Sequence, residues 1–373
     1  MMFVTDNKYI PAEDRDFFIL LRIGLWQRVE EELSPSPDWS YIYRLACEQT
    51  VQGIVADGIS MYKTVRRCNI PQDIDDKFLS AVAQIVRRNY VINLKQQEIN
   101  RLLTDSRIDY YVVKGQMVGK CYPKPMLRCS GDIDYLMPQS QVRIAQDILA
   151  PLASSVEPFE VYQKHQSFML DDIEVELHGA LHPHLGNRID TVLDALQDEL
   201  FADTVSYDTF NCVYIFLHCL QHLHMSGLGL RQIADWCMLL TSSKDIDYNR
   251  VREAISQMGI QQEWDVFYGF SVDWLGLHSC KTLQQFSSCN YFSAATQIWQ
   301  EAKESGNMGH NHKMKAKSKN SIIRNTYAWV KIIKLYFKNR SISPNGSEAM
   351  IKQHFNEYCN QLKHDISKFK IFR

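Results

Sequence analysis

Seven residues, Gly131-Asp132-Ile133-Asp134-Tyr135-Leu136-Met137, limit what this chain can fold into more than any other stretch. In a β-strand alternate side chains share a face. Asp132 and Asp134 therefore project together, while Ile133 and Tyr135 project the opposite way. Two carboxylates on a strand this apolar are costly to bury unless a cation stands between them, and hard Mg²⁺ ions suit that role. Further along, Ile173-Glu174-Val175-Glu176-Leu177-His178 repeats the alternation. A second strand of this kind can supply a third carboxylate. Three acids on adjacent strands form the skeleton of a metal-dependent phosphoryl- or nucleotidyl-transfer site. The plainer alternative is a pair of edge strands, each with one solvated face, on which alternating acids carry no chemistry.

The surrounding pattern places these strands in a small unit. Helical periodicity dominates residues 14–105: Asp14 to Val29, Trp39 to Gln49, Val51 to Val65 and Asp73 to Asp105. The character changes at Asp109-Tyr110-Tyr111-Val112-Val113, a β-rich run ending at Lys114-Gly115, with a short helix predicted from Gln116 to Tyr122. A loop with Pro123 and Pro125 leads through Arg128 to the acidic strand. Ser140 to Ala150 reads as a helix with Ser140 as its N-cap. Phe159 to Gln163, Ser167 to Leu170 and Ile173 to Leu177 read as strands, the last two joined by a turn at Asp171-Asp172. From Asp190 the pattern is helical again, with helices at Asn211 to His224 and Leu230 to Thr241. A polar, Lys-rich stretch at Gly306 to Asn320 precedes terminal helices at Thr326 to Phe337 and Glu348 to Lys363. The expected class is α+β: a small mixed sheet flanked by helical modules. The expected divisions are residues 1–105 (helical), 106–188 (α/β core), 189–305 (helical) and 306–373 (basic linker and terminal helices).

Composition excludes several alternatives. The 373 residues, 45% hydrophobic and 23% charged, are those of a soluble globular chain of two or three packed modules. No apolar run approaches membrane-spanning length, and no secretory leader is expected in Met1 to Asp16. Ten cysteines without a CxxC pair indicate reduced thiols and a cytoplasmic setting. The net charge of −2 hides a division: residues 311–373 hold 14 Lys/Arg and 3 Asp/Glu, leaving 27 and 40 for the rest. That tail could steer a polyanion such as nucleic acid, or could simply be a solvated basic surface.

Taken in order, Val113-Lys114-Gly115, Tyr122-Pro123, Pro125, Leu127-Arg128, Gly131-Asp132-Ile133-Asp134-Tyr135-Leu136 and Val175-Glu176-Leu177-His178 resemble a family of uncharacterised bacterial nucleotidyltransferases in the polymerase-β superfamily. Gly229-Leu230-Arg231-Gln232-Ile233-Ala234-Asp235-Trp236 is similar to a downstream helical element of that family. The resemblance covers most of residues 14–240. Gly179 departs from it, standing where an aromatic residue is usual. The resemblance implies a fold built on a nucleotidyltransferase sheet and transfer of a nucleoside monophosphate from a nucleoside triphosphate to a hydroxyl or phosphate acceptor, with pyrophosphate leaving. It also implies two Mg²⁺ ions held by Asp132, Asp134 and Glu176, with Glu174 as the alternative third acid. Lys114 and Gly115 would occupy the phosphate-binding turn, with Gly131 also counted among the nucleotide-binding residues, although Gln116 replaces the serine common in the wider superfamily. Arg128 would bind phosphate or pin its loop against an acid. The competing readings are a catalytically silent nucleotide-binding protein of the same fold and an RNA-modifying enzyme whose basic tail is the RNA-binding arm.

Two other groups invite attention. His218 and His222 lie four apart on one helix, but no third ligand follows at a telling spacing, so packing or nucleotide contact is favoured over zinc. Arg231 and Asp235 are also four apart, and could form a helix ion pair or read the base or ribose.

Overall fold

The computed structural model describes residues 10–156, 165–225, 227–278, 292–307 and 321–344, together with residues 351, 355 and 359. The apolar spacing of the first hundred residues becomes α1 (Arg15–Trp26), α2 (Trp39–Glu48), α3 (Gln52–Val65) and α4 (Gln72–Asp105). Helix α2 begins where the Asp38 side chain accepts the Tyr41 amide at 2.9 Å, an N-cap that satisfies one orphan donor. Helix α4 has 34 residues, about 50 Å of continuous helix, and buries Ile74, Phe78, Ile92, Ile99 and Leu103 along one side.

Five strands follow: β1 (Tyr111–Val113), β2 (Asp132–Leu136), β3 (Ser155–Val156), β4 (His165–Leu170) and β5 (Ile173–His178), in the spatial order β1-β2-β5-β4-β3. The two acid-bearing strands, β2 and β5, are neighbours and run parallel; every other pairing is antiparallel. Short α5 (Gly115–Gly119) follows β1, and α6 (Gln139–Leu149) follows β2. The β4–β5 turn has positive φ at both Asp171 (48°) and Asp172 (62°), as a two-residue hairpin with right-handed strand twist requires.

Three sequence expectations shift here. Helix α6 starts at Gln139, with Pro138 at the N-cap, so Ser140 lies inside its first turn. Strand β4 reaches back to His165, and β3 is too short for any periodicity to reveal it. The strand expected at Phe159 to Gln163, and most of the expected linker and last helix, lie outside the described residues.

The chain continues as α7 (Asn187–Phe201), α8 (Tyr207–Met225), α9 (Leu230–Ser242), α10 (Tyr248–Met258), α11 (Gln261–Asp273), α12 (Phe292–Ser305) and α13 (Ser321–Asn339). The fold is α+β, with thirteen helices and one small mixed sheet among the described residues. None of these helices is long and apolar enough to cross a membrane.

The sheet separates two cores. On one face Ile133, Tyr135, Val175, Leu177 and Phe168 pack with Ile99 and Leu103 of α4 and Ala145 and Leu149 of α6. On the other, Val113 and Leu136 join a larger core to which both the early helices (Phe17, Leu20, Val55) and the late ones (Phe216, Trp236, Trp264) contribute. Fully buried Asp14 ties these ends together, accepting from Tyr41 Oη at 2.5 Å, Trp299 Nε1 at 2.7 Å and Lys303 Nζ at 3.0 Å.

One group in this core sets an acid limit on stability. His224 is fully buried and neither ring nitrogen has a hydrogen-bond partner among the described residues, so burial pushes its pKa down to about 4. The unfolded chain, with an ordinary histidine near 6.5, then binds the extra proton across pH 4 to 6.5. Stability contributed by the neutral ring is complete above pH 6.5 and lost as pH falls toward 4, by about 3 kcal/mol in total. Urea titrations of His224→Leu should show a flatter acid limb than wild type; parallel limbs would remove His224 as the cause.

Candidate active site

Strand alternation and register build this site. The parallel register aligns Asp132 with Glu174 and Asp134 with Glu176, so all four acids share the face opposite Ile133 and Val175. The same alternation carries His178 onto that face. Asp134 is almost fully buried, and its Oδ1 accepts from Lys114 Nζ and from His178 Nε2, each at 3.0 Å. His178 Nε2 also stands 3.2 Å from Glu176 Oε2, bridging the two carboxylates. Asp134, Glu176 and His178 each offer a potential ligand atom, all within 4.8 Å of one another, close enough for a metal ion to be held among them. Asp134 Oδ2 is buried and has no hydrogen-bond partner among the described residues. A buried, unsatisfied carboxylate oxygen is what a cation would complete, so these residues fit a metal ion.

Asp132 lies beside that group and lines the same cleft; Glu174 is outside both. Burial and the neighbouring Asp134 charge raise the Asp132 pKa, against the pull of Lys114 and Arg231. Burial would also raise Asp134, but Lys114 and His178 overcome it and hold this carboxyl below its usual range. For His178 burial opposes protonation, while its bonds to Asp134 and Glu176 prevail and raise its pKa.

Lys114 reaches the acids because of its backbone. With φ 56° and ψ −144° it occupies a region that non-glycine residues seldom enter. Gly115 follows at φ +36° and opens α5. The Lys114 ammonium also stands 5.7 Å from the centre of the Tyr214 ring. Burial would lower the pKa of Lys114, but the Asp134 charge outweighs it and holds it well above normal. Gln116 turns away, accepting from Ser130 Oγ at 3.1 Å and approaching Asn89 at 3.4 Å.

The loop into β2 is fastened from three sides. Arg128, 4% exposed, forms a two-pronged ion pair with Asp235: Nε to Oδ1 at 2.7 Å and Nη2 to Oδ2 at 2.6 Å. Tyr122 Oη donates to Asp235 Oδ1 at 2.7 Å. Asn89 of α4 donates to the Met126 and Arg128 carbonyls, and Arg88 to those of Gly131 and Asp172. Gly53 lets α3 close on the loop, since a Cβ there would run into the Leu127 carbonyl oxygen. At Gly131 a Cβ would meet nothing within 4 Å, so packing does not demand a glycine. At Gly179 it would meet the amide end of the Gln139 side chain of α6, which would have to swing aside.

These parts surround a cleft of about 490 Å³ between the acidic sheet face and helices α8 and α9, within the size range of small-molecule sites. His218 and His222 line its far wall, Nε2 to Nε2 at 3.0 Å. Burial lowers both pKa values, that of His222 to about 3. Arg231, in the first turn of α9, also faces the cleft. It donates to the Cys129 carbonyl at 3.0 Å, and its buried Nε has no partner among the described residues. Asp235 therefore pairs with Arg128, not with Arg231 as helical spacing suggested. Sequence reasoning gave His178 no role, although its place two residues beyond Glu176 on an alternating strand was a usable signal. Nothing in the sequence linked Asp235 to Tyr122 and Arg128.

A family model described as an uncharacterised nucleotidyltransferase matches residues 35–276, well over half of the chain. No curated protein and no solved structure matches significantly.

Proposed function

We propose, from the premise that this chain belongs to that family of uncharacterised nucleotidyltransferases, that it moves a nucleoside monophosphate from a nucleoside triphosphate to a hydroxyl or phosphate acceptor and releases pyrophosphate. The observation that carries this reading is the β2–β5 register, which sets Asp134 beside Glu176 with Asp132 adjoining, Asp132 and Glu176 lining the cleft. We assign Asp132, Asp134 and Glu176 as the oxygen ligands for divalent cations, Mg²⁺ by preference for hard donors. His178 then orients Asp134 and Glu176 through one of its ring nitrogens, Nε2. When bound, the cations would supply charge neutralisation at the α-phosphate and at the leaving group.

The chain's own residues account for the remainder. The acceptor oxygen forms a bond to the α-phosphorus while the bond from that phosphorus to the bridging oxygen breaks, its electron pair leaving with pyrophosphate. Glu176, at the open side of the group, takes the acceptor's proton. Lys114 and the start of α5 offset triphosphate charge, the short helix offering backbone N–H groups to anions. Arg128 fixes the loop through Asp235. Arg231 presents a cation in the first turn of a helix, where the helix dipole disfavours one; a bound phosphate would reverse that penalty.

Incubation with each α-labelled nucleoside triphosphate, Mg²⁺ and cell extract tests the activity. Chelator-sensitive transfer of label is expected with at least one nucleotide, and failure with all four would overturn the reading. Arg231→Ala should raise KM for that nucleotide by about 10-fold or more, as loss of a charge-assisted hydrogen bond would. Arg231→Lys should recover part of it. An unchanged KM would restrict Arg231 to holding the Cys129 carbonyl.

A further inference from the structure

The two oxygens of Asp134 have different surroundings. Oδ1 accepts from Lys114 Nζ and from His178 Nε2, each at 3.0 Å, which uses both of its lone pairs. Oδ2 is buried and has no hydrogen-bond partner among the described residues. Bridging two divalent ions about 3.5–4 Å apart takes one carboxylate oxygen for each ion. Here Oδ2 is left for a metal, while the Oδ1 side already holds a cation that belongs to the chain.

That cation is firmly set. The Lys114 side chain is only 19% exposed, its ammonium lies 5.7 Å from the centre of the Tyr214 ring, and the charges of Asp132 and Glu176 also act on it. Its backbone, at φ 56° and ψ −144°, lies where glycine is at ease and a side chain is strained. What offsets that strain is the reach of the ammonium to Asp134. Charge gives the same count. Before a nucleotide enters, three ionised carboxylates are balanced by one divalent ion and one ammonium. A second divalent ion would face the half-buried ammonium at short range, where like charges repel strongly.

We propose that Lys114 is the second cation of this centre: each chain works with one divalent ion, and the lysine ammonium serves on the Oδ1 side of Asp134 in place of another. The inference rests on the nucleotidyl-transfer reading and narrows its cations to one metal ion and one lysine, against the two ions that the resemblance implies.

Mn²⁺ titration of the full chain, followed by electron paramagnetic resonance, counts the ions. The α,β-methylene analogues of ATP, GTP, CTP and UTP are added in turn, equimolar with the chain, so that no transfer occurs. One Mn²⁺ per complex is expected, with the spectrum of an isolated ion. Two per complex, with the spin-coupled signal of a pair about 3.5–4 Å apart, would overturn the proposal and leave nucleotidyl transfer standing, since label transfer tests that separately. Lys114→Gly removes the ammonium and suits the local φ, so the fold should survive, as circular dichroism would verify. This variant should take up a second Mn²⁺ and show the coupled signal. Lys114→Arg, which retains a cation, should stay at one ion. A Lys114→Gly chain that also stays at one, with only a higher KM for the nucleotide, would restrict Lys114 to phosphate binding and overturn the proposal.

Discussion

Asp134→Asn is expected to lower the turnover number for nucleotidyl transfer about a thousandfold while leaving the chain folded. The amide keeps the shape of the carboxylate and an oxygen able to accept from Lys114 and His178. It removes the negative charge and replaces one oxygen by nitrogen in the group that includes Glu176 and His178. Loss of about 4 kcal/mol of metal-centred stabilisation corresponds to that factor at 1.36 kcal/mol per decade. His178→Ala, which removes a positioning contact, should cost about 10- to 100-fold. Pyrophosphate release measures both, and Mn²⁺ titration calorimetry should show weakened binding in the asparagine variant independently of turnover. Transfer at close to the wild-type rate in Asp134→Asn would sink the proposed mechanism.

Asp235→Ala should produce the largest loss of stability, about 3–5 kcal/mol. Arg128 is buried, and removal of Asp235 strands its guanidinium in the core while taking away the acceptor of Tyr122 Oη. The penalty comes from the abandoned charge more than from the lost attraction. Asp235→Leu combined with Arg128→Met should therefore recover most of the loss, a coupling that a double-mutant cycle measures directly. Urea unfolding decides the matter; a deficit under about 1 kcal/mol for Asp235→Ala would mean that water reaches and solvates Arg128.

The two predictions differ in how much of their basis was legible in the chain. Glu176 was preferred over Glu174 through the family resemblance, since spacing did not choose between the two glutamates. Strand alternation is local, so two residues of spacing were enough to put Asp132 with Asp134, and Glu174 with Glu176, on shared faces. The hairpin at Asp171-Asp172 and the helical flanks were readable for the same reason. The Arg128–Asp235 pair was not, since partners 107 positions apart meet only through tertiary packing, while the neighbouring Arg231 satisfied a local spacing rule that the fold did not use. The start of α6 at Gln139 was obscured by Ser140, a good cap in composition; Pro138 set the boundary through its fixed φ. Edge strand β3, two residues long, contains no pattern to read.

The parallel pairing of β2 with β5 also bears on how the protein reaches its working state. Parallel neighbours cannot be joined by a tight turn; here α6, β3 and β4 all intervene between Leu136 and Ile173. Every carboxylate contact across that pair is a long-range one, formed only after the intervening segment has found its place. Non-local pairings of this kind are late and slow to form. Until the last strand docks, Asp134 has no Glu176 beside it, so a partly folded chain cannot assemble the group even if every helix is in place. Appearance of divalent-ion binding during refolding should lag the recovery of helical signal, making the acidic cluster a clock for the completion of the sheet.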